Sequence, residues 1–381
     1  MQTGTSKHKK VFTGGKRYDN IKFAANTVAY TYSSGDRAPP SGGGCGGSNP
    51  PRCVKSPEEI PLDFFCPFLL ASDHSILERE KHRRHKMEQI ICIDIGGTAI
   101  KYGIVANGDV QFQKEMATEA AKGGPEIVKK VKGIVGALES AETAGVAIST
   151  AGMVDPDAGR IFYAAPLIPD YTGTEFKKEI EEEFSLPCEV ENDVNCACLA
   201  EYESGAGRGA KMALMLTVGT GIGGCCIMDG KVLHGASNSA CEVGYMHMRG
   251  SDFQSLGAAS VLTKKVAERK GEPEDMWDGR AIFRAAKAGD AICLQEIDAL
   301  CDVLGQGIAN ITYILNPDVV ILGGGIMAQK TFLEGRIRKA LEKYLLPDLR
   351  ETVSVRFAEH KNAAGMYGAY INFQNRQGGK L

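Results

Sequence analysis

The chain has 381 residues, 43% hydrophobic and 24% charged, with a formal net charge of −3, a globular composition with room for two ordinary domains. That balance gives no reason to expect a nucleic-acid or membrane-surface partner, and no apolar run approaches the ~20 residues that span a bilayer. Of 12 cysteines, nine are scattered after Met87, many inside apolar segments, which suits reduced, buried thiols in a cytoplasmic protein better than a disulfide framework.

The charge is unevenly spread. Residues 1–86 carry a net +6 and the remainder a net −9. Residues 34–51, "SGDRAPPSGGGCGGSNPP", have linker composition and are predicted to be disordered. The first residues are basic but lack the apolar core of a secretory signal. Sustained periodicity begins only after Met87, with "EQIICIDIGG". We therefore expect Met87 to be the natural start and 1–86 to be upstream translation or a cloning artefact, the alternative being a genuine disordered extension.

From Met87 on, "QIICIDIG", "AIKYGIVA" and "DVQFQKEMA" read as three strands, the last two joined by an Asn107-Gly108 turn. "PEIVKKVKGIVGALESA" (125–141) is an amphipathic helix, and "AGVAIST" and "CEVEN" suit central strands covered on both faces. About 120 residues on, the opening pattern recurs. "ALMLTVGTG", "IGGCCIMDG" and "KVLHG" read as strand, Gly-rich turn, strand, Asp229-Gly230 turn, strand. Helices follow over 258–270, 280–290 and 292–315, then the strand "PDVVILGGG" and a helix near 331–345. The final "NAAGMYGAYINF" is helical, with a small-and-aromatic face suited to packing back on the body. An internal duplication follows: an α/β chain with an N-terminal lobe at 87–200, a C-terminal lobe at 201–360 and a closing helix in 361–381.

The glycines match no common nucleotide motif. "GTGIGG" (219–224) formally fits G-x-G-x-x-G, but strand and hairpin follow it, whereas a dinucleotide turn must open a helix. No Gly-Lys pair is followed by Ser or Thr, so a Walker loop is absent. Each glycine hairpin could be a tight turn and nothing more. Two facing hairpins, one per lobe, instead suit a polyphosphate held by backbone N–H groups, and a third segment, "LGGGI" (322–326), between a strand and a helix, suits the adenosine and ribose. Asp94, closing an apolar strand before Gly96 and Gly97, then gains a partner in Mg²⁺, held through a water.

"DIGGTAIK", "ISTAGMVD", "ENDVN", "GTGIGG" and "LGGGI", in that order over 88–373, resemble the ROK-family sugar kinases of the actin–hexokinase–Hsp70 superfold. The resemblance implies a bilobal, ribonuclease H-like fold closing on ATP and a hexose, with phosphorylation usually on the 6-hydroxyl. It also implies dimers or tetramers. Carried over by motif, it places ATP and its Mg²⁺ at Asp94, Gly96, Gly97, Thr98, Lys101, Gly219, Thr220, Gly221, Gly223, Gly323 and Gly324. The sugar falls at Asn192, Glu242, Tyr245, Thr150 and Gly152, with Asp193 as catalytic base. Read from the residues alone, Asn192 or Asp193 could be merely a helix cap. A carboxylate accepting the hydroxyl proton is what phosphoryl transfer otherwise lacks here.

The chain departs from the pattern after Glu242. Most members have His where this chain has Tyr245, then a cysteine-rich zinc site bearing a second sugar-contacting Glu. Here "RGSDFQSLGAASVL" follows, with no cysteine between Cys241 and Cys293, so no zinc site is expected. Cys196, Cys198, Cys225 and Cys226 read as core thiols, and His247 as a surface or pocket-rim residue. The variant resembles zinc-less N-acetylmannosamine kinases and β-glucoside kinases, the former more closely, with glucokinase third. A sugar-responsive repressor of the same family needs an N-terminal helix-turn-helix, and 1–86 offers no paired amphipathic helices. Retention of Asp94, Asp193 and both phosphate turns argues against an inactive sugar sensor.

Overall fold

The computed structural model describes residues 89–360 and 363–378. The expectations for 1–86, including the start at Met87 and the disordered linker, lie outside the described residues.

The first half of the described chain builds one sheet. Strands β1 (Gln89–Ile95), β2 (Ala99–Ala106) and β3 (Asp109–Ala117) form an antiparallel meander, followed by helix α1 (Gly124–Leu138) and strand β4 (Thr143–Thr150). A short hairpin, β5 (Met153–Asp155) and β6 (Arg160–Tyr163), precedes helix α2 (Phe176–Phe184) and strand β7 (Cys188–Asn192). The sheet order is β3-β2-β1-β4-β7, with β4 and β7 parallel to β1. Helix α3 (Asp193–Ser204) leads on to β8 (Met212–Val218), β9 (Ile222–Met228) and β10 (Lys231–Val232).

The second half repeats the plan. After the ribbon β11 (His247–Met248) and β12 (Ser251–Asp252) come helices α4 (Phe253–Gly257), α5 (Ala259–Lys270), α6 (Gly279–Lys287) and α7 (Ala291–Leu315). Strand β13 (Val319–Gly323), helices α8 (Lys330–Tyr344) and α9 (Pro347–Thr352), strand β14 (Ser354–Phe357) and helix α10 (Ala364–Gln377) finish the chain. The second order, β10-β9-β8-β13-β14, reproduces the first, strand for strand. This is the duplicated actin–hexokinase-like α/β architecture. Its elements differ from the sequence reading mainly at the margins. The third strand of the second meander is only two residues long, helix α8 is preceded by a 3-10 turn over Gly325–Gln329, and α2, β14 and the β5–β6 hairpin went unread.

Strand alternation explains how the layers stack. On β1, Ile91, Ile93 and Ile95 face α1 and α2, packing with Ile127, Val131 and Phe176. Ile90 and Cys92 face the other way, onto Met366, Ala369 and Phe373 of α10. On β8, Leu214, Leu216 and Val218 face the large helical core with Leu304 and Ile308 of α7, while Ala213 and Met215 face Cys198 and Leu199 of α3. Two helices are therefore sandwiched between the sheets, α10 on the first and α3 on the second. Among the described cysteines all are free, and every one except Cys241 is buried. No helix among the described residues is long and apolar enough to cross a membrane.

The two central helices meet backbone to backbone. A Cβ added at Gly368 would lie 1.7 Å from the carbonyl oxygen of Cys196, and one at Gly365 2.4 Å from Cγ of Asp94. The far end of α10 is clamped by the buried Glu189, which accepts from Arg376 Nε (2.7 Å), Gln377 Nε2 (2.5 Å) and Lys177 Nζ (3.2 Å). Because backbone cannot step aside as a side chain does, Gly368→Ala should destabilise the protein by about 2–4 kcal/mol or prevent soluble expression, as read by thermal denaturation. A melting temperature within a degree of wild type would contradict this packing.

Candidate active site

The site is built where β7 turns directly into α3. Asn192 is the N-cap: its Oδ1 accepts from Val194 N (2.8 Å) and Asn195 N (3.1 Å), satisfying two of the helix's unpaired donors. Its Nδ2 donates to Gly152 O (2.9 Å) and Asp193 Oδ1 (3.1 Å). Asp193 is the first helical residue, and its Oδ1 also accepts from its neighbour Val194 N (2.9 Å). These bonds fix the carboxylate at the edge of the cavity that Asp193 lines. Burial, followed by the charge of Asp94, pushes Asp193 up to about 6, against the backbone bond from Val194. The cap reading and the catalytic reading thus coincide: Asn192 caps, and by capping it aims Asp193.

Asp94 lies across the cleft on β1, paired in register with Lys101 of β2 and Ser149 of β4. Ser149 Oγ donates to Asp94 Oδ1 at 2.7 Å. Burial raises the Asp94 pKa, while the Ser149 bond and the Lys101 charge pull it back. The first turn of α10 abuts the same carboxylate at Gly365, so a helix N-terminus adds partial positive charge there. The turn following Asp94 is pinned by the buried Thr118, whose Oγ1 donates to Gly96 O at 2.6 Å.

One cavity of about 540 Å³ gathers Asp94, Gly96, Lys101 and Asp193 with Thr217, Gly323 and Gly324 of the second sheet. Gly324 has φ +102°, and a Cβ there would lie 2.2 Å from Val218 O, so only glycine lets this turn pass under β8. A neighbouring recess of about 320 Å³ joins Gly219 to Asp278, Arg280 and Phe283. Gly97 and Thr98 are exposed at the hairpin tip rather than lining the cavity. The turn at Gly219, Thr220 and Gly221 is held by Ala259 N to Gly219 O (2.9 Å) and Ser260 Oγ to Thr220 O (2.6 Å). Gly223 packs a would-be Cβ within 2.6 Å of Val194, tying the turn to α3.

On the other side of Asp193, Glu242 is half-buried at the head of a 3-10 turn ending in Tyr245, and burial raises its pKa. Tyr245 is 50% exposed. The Thr150 side chain is fully buried at the end of β4, its hydroxyl bonded to Tyr171 Oη at 2.5 Å. His247 is exposed, as expected. Sequence reasoning missed Ser149, Thr118, Gly365 and the buried Glu191. Each acts through a partner distant in the chain: sheet pairing brings Ser149 to Asp94 and Thr118 to Gly96, helix packing brings Gly365 to Asp94, and a loop from the second sheet brings His234 to Glu191.

Asp94 and Asp193 are the groups that could share a cation with a bound phosphate; among the described residues no cluster of three or more His, Cys, Asp or Glu side chains is assembled to hold a metal. Two acids whose pKa values are both raised by burial, one of them further by the other's charge, are the setting in which a divalent ion is most useful.

Comparison with known proteins agrees with this architecture. The ROK family pattern matches residues 90–376. A β-glucoside kinase of Listeria monocytogenes is 33% identical over 294 residues, covering 75% of this chain and 97% of that protein. Among solved structures, a Listeria monocytogenes protein provisionally named an N-acetylmannosamine kinase superposes with TM-score 0.68 at 31% identity, covering 76% of this chain and 99% of that one. A Streptomyces griseus ROK glucokinase, in complex with glucose and AMPPNP, gives TM-score 0.65 at 28% identity, covering 74% and 97%. The chain belongs to the ROK family, as a phosphotransferase with a sugar acceptor.

Proposed function

We propose that this protein transfers the γ-phosphoryl group of ATP to the 6-hydroxyl of a hexose, with N-acetylmannosamine as the acceptor. The observation that carries the reading is Asp193, a carboxylate raised to about 6 and aimed into a cavity whose far wall is glycine-rich. Asp193 accepts the proton of the attacking hydroxyl, and its raised basicity favours that transfer while leaving it ionised at neutral pH. Asn192, whose amide is filled by bonds within the protein, orients the carboxylate, and Glu242 grips the sugar hydroxyls. Gly96, Gly323 and Gly324 offer backbone to the phosphates and the recess beside Gly219 takes the adenosine. Bound Mg²⁺, held by Asp94 through a water, would neutralise charge on the transferred phosphoryl group. The cytoplasm, with its reducing conditions, suits the free thiols, and a homodimer or tetramer is the expected assembly. The replacement of histidine by Tyr245 and the missing second glutamate favour a substrate altered at C1 or C2. The second reading, a β-glucoside kinase, is favoured by the 33% identical relative of that name.

Coupled ADP release across N-acetylmannosamine, cellobiose, an aryl β-glucoside, glucose and N-acetylglucosamine separates these readings; N-acetylmannosamine should give the highest kcat/KM. A higher value for either β-glucoside would replace the first reading with the second. Asp193→Asn should bind sugar yet lose on the order of 10²-fold or more in kcat, and wild-type activity should fall below pH about 6 as Asp193 takes up a proton. Near wild-type turnover in that variant would remove Asp193 as the base.

The same shift has a stability consequence. Because the folded pKa is raised from 3.8 to about 6, the ionised carboxylate costs stability as pH rises through that window. Asp193→Asn should therefore melt about 2–4 °C above wild type at pH 7–8, with the gap closing below pH 3.8. A variant that melts lower at neutral pH would show that the carboxylate is not under this electrostatic load.

A further inference from the structure

Directly before the Asn192–Asp193 pair, the end of β7 carries a second acid. Glu191 is fully buried, yet it does not line the cavity. Its Oε1 accepts from Asn192 N (2.8 Å) and from Asn195 Nδ2 (2.9 Å), one turn into α3. Its Oε2 meets His234 Nε2 at 2.7 Å. His234 comes from the other sheet, two residues past β10, and its carbonyl accepts from Ala240 N (3.0 Å). That bond closes the loop whose next residues are Cys241 and Glu242. One imidazole therefore touches both halves of the site, through its side chain the elbow bearing Asp193 and through its backbone the loop bearing Glu242.

We propose that His234 is a positioning residue for the phosphoryl transfer: it holds Glu191, through which it fixes the Asn192–Asp193 elbow in register with the Glu242 loop. The proposal rests on Asp193 being the base. A buried carboxylate left without its partner would relax toward water, and that shift loosens the two bonds it makes to Asn192 and Asn195. The groups facing the imidazole are Glu191, Arg376 and Asp157; the bond to Glu191 raises its pKa above 6.5, with Asp157 helping and burial and Arg376 opposing. The charged pair is thus fully present below pH 6.5 and fades as pH climbs past the raised value.

The test uses His234→Ala and His234→Gln in the full-length protein. The glutamine amide keeps a donor near the Nε2 position but cannot titrate. His234→Ala should lose about tenfold in kcat and raise the sugar KM about threefold, with the ATP KM unchanged, since the phosphate turns do not depend on the elbow. His234→Gln should recover most of that loss. The wild type should show a decline in kcat on the alkaline side that is missing from His234→Gln. Wild-type kcat and sugar KM in His234→Ala, or an alkaline decline that persists in His234→Gln, would overturn the proposal. Equal losses in both variants, together with a raised ATP KM, would instead mark a general structural defect and overturn it too. Failure of the base assignment would appear separately, as turnover in Asp193→Asn.

Discussion

Two carboxylates in one partly desolvated cleft set the terms for the structure around them. Burial raises the pKa of both, and the charge of Asp94 raises that of Asp193 further. Much of the compensation comes from backbone. Asp193 sits in the first turn of α3 and Asp94 against the first turn of α10, where unpaired N–H groups concentrate positive partial charge. Holding two helix N-termini against two acids requires those helices to lie between the sheets and to approach each other closely. The glycines at 365 and 368, the immediate turn from β7 into α3, and the clamp on the far end of α10 follow from that requirement.

The buried acids of this region divide by how completely they are satisfied. Glu189 accepts from Arg376, Gln377 and Lys177, Glu191 from Asn192, Asn195 and His234, and Glu201 from three backbone amides, Ala206, Glu359 and His360. These three are saturated and act as joints between segments distant in the chain. Asp94, accepting from Ser149, and Asp193, accepting from Asn192 and Val194, instead border the cavity. Buried polar groups are normally paired, and an acid that borders a cavity is placed to receive charge from elsewhere.

Much of this was legible in the sequence where the signal is local. The alternation in "QIICIDI", the repeated meander and the glycine turns depend on period-two patterning and turn chemistry within a few residues, and both meanders emerged as read, the second with a third strand of only two residues. Asp193 and Asn192 were legible by motif, but their division of labour, one capping and thereby aiming the other, needed the bond from Nδ2. Ser149 and Thr118 were invisible because their partners lie 55 and 22 residues away. Strand β14 was missed because "SVRF" is too short to show a period.

The exchange of helices between the sheets bears on how the protein is made. Helix α3 belongs by sequence to the first half but covers the second sheet, while α10, the last helix synthesised, covers the first. As the chain leaves the ribosome, the face of the first sheet formed by Ile90, Cys92 and Ala147 has no lid until the final helix emerges. The first repeat therefore cannot complete its core until residues near 370 have been made, although domains synthesised first generally fold first. Native closure is a long-range event, uniting residues near 90 with residues near 370, and such contacts are slow because the intervening loop must be ordered first. The exposed apolar face in that interval is where chaperones would act and where a stalled or C-terminally nicked chain would aggregate.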